Sequence, residues 1–153
     1  MTKEFEKLYR KDQKIISDLK KKKIGKKEYF LKTKSLGGEL KKLLEKKKNL
    51  TGKDYFISAI IFHHNYKLNS SKKAVRLSKK SYEIGYKKGK WLIASTTDRL
   101  LQLERKPQKY GTQVVDIFSD KLNIYKTDPK TTDEERKEFG LPTFKELKKY
   151  YEK

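Results

Sequence analysis

Phe5, Leu8, Tyr9, Asp12, Ile15, Ile16 and Leu19 recur at steps of three and four. That spacing predicts one apolar stripe on an amphipathic helix running from Thr2 to about Lys22. A second helix is expected from Lys26 to Lys48, with Tyr29, Phe30, Leu36, Leu40, Leu43 and Leu44 inward. Gly37-Gly38 in its middle is a point where it would weaken or divide. Thr51-Gly52-Lys53-Asp54 reads as a capping box with a shortened acid. The segment it opens, Tyr55 to Asn65, is apolar on nearly every side, the pattern of a helix buried all round. A strand is the competing reading for so short an apolar run.

Asn69-Ser70-Ser71 then caps a helix with Ala74, Val75, Leu77, Ser78, Ser81, Tyr82 and Gly85 on its packing side, and another runs from about Lys90 to Glu104. Their short connections predict antiparallel neighbours. After Arg105 the pattern changes. Lys106 to Gly111 is rich in turn residues, and Thr112–Phe118 and Leu122–Tyr125 are short β-prone runs separated by Ser119-Asp120-Lys121. Two more capping boxes, Thr132–Glu135 and Thr143–Glu146, return the chain to helix. The expected fold is mainly α: an antiparallel bundle of about five to seven helices, with at most one small β-hairpin near residues 112–126. It forms a single domain over 1–153, amphipathic over 1–50 and motif-bearing over 51–153.

Composition sharpens this picture. A chain of 153 residues can bury one core, and ten Tyr, seven Phe and one Trp supply bulk for it. The absence of cysteine excludes disulfides, thiolate metal sites and a Cys nucleophile. No apolar run approaches the ~18 residues of a membrane span, and the start of the chain has no apolar leader. A cytoplasmic protein is expected. The net charge of +21 suggests an anionic partner such as nucleic acid. Against that, 36 of the 41 basic residues are Lys, spread over every segment. A compositional excess on a solvated surface would look the same.

Four clusters could carry chemistry. His63-His64 are the only histidines. Adjacent helical positions diverge by about 100°, so they do not chelate one metal together, and neither a metal nor a cofactor is expected. His64 is either a helix-end histidine or a general base. Asp98 falls between Trp91, Ala94 and Leu101 on an otherwise apolar helix, where a carboxylate needs a partner. That partner is an amide of the following loop, an arginine, or His64, which Asp98 would then orient. Arg99 is a surface cation or an anion clamp. In the loop Gln108-Lys109-Tyr110-Gly111-Thr112-Gln113, neutral polar side chains crowd beside a core helix, as in ligand-binding loops on rigid scaffolds. The last cluster is basic: Lys20 to Lys23, Lys26-Lys27 and Lys46 to Lys48, with Tyr29 and Phe30 nearby.

These stretches resemble an uncharacterised bacterial family, the domain of unknown function numbered sixty-six twenty-four. Its pattern runs Gln-His-Ala, Leu-Thr-Asp-Arg, Arg-Pro-Gln-x-Tyr-Gly-Thr-Gln and Arg-Arg-x-x-x-Gly-Leu. Here it meets His63-His64-Asn65, Thr97-Asp98-Arg99, Lys106-Pro107-Gln108-Lys109-Tyr110-Gly111-Thr112-Gln113 and Glu135-Arg136 through Gly140-Leu141. His63, Asn65 and Glu135 depart from it. The resemblance, over roughly Gly52 to Tyr150, implies a mostly helical protein whose motif residues meet in one pocket. It implies no particular reaction.

Three readings follow. One is a small enzyme or ligand-binding domain with His64 as base, Asp98 as its orienter, and Arg99, Gln108, Tyr110, Gly111, Thr112 and Gln113 on the substrate. The second is a basic protein that holds nucleic-acid phosphates nonspecifically. The third is a structural or protein-interaction domain.

Overall fold

The most apolar segment of the chain becomes its central helix, α3 (Gly52–His63), in a computed structural model that describes residues 3–152. Thr51 Oγ1 accepts from the Asp54 amide at 3.2 Å, and the Asp54 carboxylate accepts from the Thr51 amide at 2.9 Å. This box fixes where the helix begins. Around α3 lie α1 (Lys3–Lys20), α2 (Lys26–Lys46), α4 (Leu68–Glu83) and α5 (Lys90–Leu103), and α3 touches all four. Contact on every side explains why its sequence is apolar on every side. Phe5, Leu8, Tyr29, Leu40, Ile57, Ile61 and Leu92 form the buried centre.

Small residues let α3, α4 and α5 approach closely. Ala74 is fully buried, Ser78 and Thr96 share a hydrogen bond of 3.0 Å across α4 and α5, and Ser81 Oγ donates to the Gly52 carbonyl at 2.6 Å. A 3-10 turn at Lys87–Gly89 leads into α5. The expected weakness at Gly37-Gly38 does not divide α2, which is one unbroken helix. A Cβ at Gly37 would lie 2.8 Å from the Asn65 side-chain nitrogen. Gly37 therefore gives Asn65 its place against α2.

After α5 the chain crosses a long loop before α6 (Asp133–Glu138) and α7 (Phe144–Tyr151), each opened by its capping box. The fold is all-α with seven α-helices among the described residues. The β-prone runs make only an isolated bridge, Val114 with Ile124, and Gln108 makes another with Thr127 just outside them. Rungs such as Val115 N–H to Asn123 O at 2.8 Å and Tyr125 N–H to Gln113 O at 3.0 Å close a hairpin-like turn without extended strands. No helix among the described residues is long and apolar enough to cross a membrane.

Candidate functional site

A cleft of about 960 Å³ opens between the end of α1, the start of α2, the end of α3, the middle of α5 and the loop around residues 112–122. Its walls include His63, His64, Tyr66, Arg99, Thr112 and Gln113, and Lys20, Lys22 and Lys26 stand at its edge. Two groups of residues separated in sequence, the basic run closing α1 and the motif residues of α3 and α5, therefore face one space.

Arg99 forms part of that wall. It is only 4% exposed, so it is not a surface cation. Its Nε and Nη2 donate in a fork to Gln113 Oε1, with Nε at 3.0 Å. Its Nη1 donates to the His63 carbonyl at 2.9 Å and its Nη2 to the Tyr66 hydroxyl at 2.7 Å. The guanidinium also lies 3.5 Å from the centre of the Tyr66 ring. Tyr66 adopts a positive φ of 55°, an unusual backbone for a bulky residue, and this conformation accompanies its stack on Arg99. All these partners are neutral. Among the described residues no carboxylate forms an ion pair with Arg99. A buried cation with no counter-charge is costly, although Arg keeps its charge even there.

His64 caps the end of α3, with its main-chain carbonyl held by the Tyr29 hydroxyl at 2.8 Å. Its Nδ1 lies 2.9 and 3.0 Å from the two carboxylate oxygens of Asp12, and Gln13 Nε2 donates to the same carboxylate at 3.0 Å. A carboxylate only accepts, so Nδ1 carries a proton, and in the neutral ring Nε2 is then the nitrogen with the lone pair. Asp12 is 1% exposed and His64 is in the cleft wall. The arrangement is a carboxylate fixing an imidazole tautomer, the geometry of an activated base. The neighbouring His63 is pushed well below the ordinary imidazole range by burial, then by Arg99 and His64, and so stays neutral. Its Nδ1 is buried with no hydrogen-bond partner.

The orienter of His64 is Asp12, and the expected pairing with Asp98 is corrected. Asp98, fully buried, accepts from the Lys109 and Tyr110 amides at 2.7 and 2.9 Å and from the Thr112 amide and hydroxyl at 3.0 and 2.7 Å. Burial pushes its carboxyl above the usual range, against the pull of these donors. Both oxygens are occupied by the loop, so Asp98 has no lone pair left to steer an imidazole. It holds the loop instead.

Gln108, Tyr110 and Gly111 also lie outside the cleft wall. Gln108, fully buried, donates to the Gln113 and Tyr125 carbonyls at 3.0 and 2.8 Å and accepts from the Gln113 amide at 2.8 Å. Tyr110 packs on Phe139, and its carbonyl accepts from Arg136 Nε at 3.3 Å. Gly111 has φ of +84°, and a Cβ there would lie 2.8 Å from Leu147. These three shape the loop, whereas Thr112 and Gln113 carry it to the cleft. Among the described residues no group of three or more His, Cys, Asp and Glu could hold a metal ion.

No family model, curated protein or solved structure matches the chain.

Proposed function

We propose that the cleft binds an anionic ligand and that His64, oriented by Asp12, takes a proton from it or from a group beside it. Arg99 carries this reading: a buried guanidinium surrounded only by neutral acceptors, in the same wall as a histidine whose Nδ1 is held by Asp12. Lys20 and Lys26 add positive charge at the edge, where Lys22 is engaged by Asp120 at 2.9 Å. The volume suits a small molecule or a short segment of a larger one. The motif residues that resemble the bacterial family supply the scaffold: Asp98 and Gln108 hold the loop, and the loop presents Gln113 to Arg99.

Pyrophosphate is the simplest probe of such a site. Calorimetric titration of the wild-type protein at pH 7 is expected to show one binding event. Arg99→Lys keeps the charge but loses the fork that spans Gln113 and Tyr66, and binding should weaken at least about tenfold. No heat of binding in the wild type, or equal affinity in Arg99→Lys, would remove the reading.

A further inference from the structure

We infer that the ligand of this cleft is a single strand of nucleic acid, with one phosphate near Arg99 and His64 and the flanking backbone running out between the lysines at the end of α1. The inference rests on the anion-site reading above and adds the class of ligand. The first observation is the position of the basic run. Lys20, Lys22 and Lys26 are in the cleft lining, and Lys21, Lys23 and Lys27 are their neighbours in the chain. A small anion is neutralised by one or two cations, whereas a track of them suits a ligand with repeating phosphates.

The second observation is aromatic. Phe118 is half-buried and lines the cleft, with Lys26 Nζ 5.4 Å from its ring centre, and Tyr66 lines it too with Arg99 over its ring. A cationic groove with aromatic faces is the arrangement that receives a single strand, whose unpaired bases stack on such faces whatever their sequence. A duplex keeps its bases stacked inside and cannot offer one to a ring within a cleft of about 960 Å³. The third observation is His63, whose buried Nδ1 in the cleft wall has no partner. Under this inference a polar group of the ligand supplies that missing partner. The acidic edge residue Asp120 is held by Lys22, both of them exposed. An entering phosphate competes for that lysine through the same charge.

Fluorescence anisotropy with a labelled oligouridylate of about ten nucleotides, beside a duplex of equal length, tests this. The single strand is expected to bind at least tenfold more tightly than the duplex. Its affinity should fall steeply with salt, by roughly 50-fold between about 50 and about 200 mM for about four phosphate contacts. The double variant Lys20→Glu/Lys26→Glu should lose about tenfold or more and flatten the salt dependence. Lys79→Glu/Lys80→Glu makes the same charge change on the exposed side of α4, outside the cleft, and should change affinity less than twofold to threefold. Phe118→Leu keeps apolar packing on Tyr29 and Phe30 and should weaken the oligonucleotide several-fold more than it weakens pyrophosphate. Equal binding of duplex and single strand, equal losses in the two lysine variants, or no oligonucleotide binding would overturn the inference. If pyrophosphate still bound in any of these cases, the anion site itself would stand.

Discussion

Asp98→Asn is expected to lower the unfolding temperature by roughly 6–12 °C, the equivalent of about 3 kcal/mol in a domain of this size. The substitution keeps the shape of the side chain. One amide oxygen can still accept from the Lys109 and Tyr110 amides. The new NH2 group, however, replaces the oxygen that accepts from the Thr112 amide and hydroxyl. The hydroxyl can rotate to accept, but the buried amide cannot, and an unpaired buried donor costs about 1–3 kcal/mol. Loss of the charge weakens the remaining bonds as well. Glu146→Gln, in the exposed capping box of α7, is the comparison and should cost under about 1 kcal/mol. Thermal unfolding followed by circular dichroism decides. A melting curve for Asp98→Asn within about one degree of wild type would show that the loop does not depend on this carboxylate.

Arg99→Met is expected to cost about 3 kcal/mol and to abolish stabilisation by pyrophosphate. Two effects oppose each other. Methionine relieves the desolvation of a charge buried without a counter-ion, which favours the variant. It also strips donors from Gln113 Oε1, the His63 carbonyl and the Tyr66 hydroxyl at once. Orphaning these acceptors outweighs the relief, because each costs about 1–3 kcal/mol and the cleft rehydrates only some of them. Ligand dependence separates packing from binding. Pyrophosphate at about 100 times its Kd should stabilise the wild type by about 2.7 kcal/mol, and the variant by nothing measurable. Urea unfolding with and without pyrophosphate measures both quantities. An Arg99→Met protein that gains as much from pyrophosphate as the wild type would place the anion elsewhere.

Most helices were legible because their signals are local, whereas α4 starts at Leu68 after Lys67, ahead of the Asn69-Ser70-Ser71 expected to cap it. The stripe of α1 and the three capping boxes need only their own residues, and the structure has each of these elements. The integrity of α2 was not, because Gly37 answers to Asn65, a residue far along the chain. The hairpin expected at most once near residues 112–126 is reduced to a turn with isolated bridges, also for a non-local reason. The Gln108 side chain takes the Gln113 amide and the Tyr125 carbonyl, and it shares the Gln113 carbonyl with the Tyr125 amide.

The candidate site was half legible. His64, Arg99, Thr112 and Gln113 meet at one cleft. The partner of His64 was visible in kind and mistaken in place. A carboxylate on an apolar stripe needs a partner, and that rule applied to Asp12 on α1 as strongly as to Asp98 on α5. Nothing in the spacing chooses between them, since the choice depends on which helix packs beside the end of α3. Tyr66 gave no sequence signal at all. Its role comes from a positive φ and a stack on Arg99, both products of tertiary packing.

With only two histidines in the chain, nitrogen-15 NMR of the imidazole rings reads the site most directly. For neutral His64 the expected spectrum is that of the Nδ1–H tautomer, with Nε2 resonating as an unprotonated acceptor. Addition of pyrophosphate should move that Nε2 signal, and Asp12→Asn should remove the tautomer preference. An Nε2–H tautomer in the wild type, or ring signals that stay fixed as pyrophosphate is added, would contradict an Asp12-oriented His64 at an anion site.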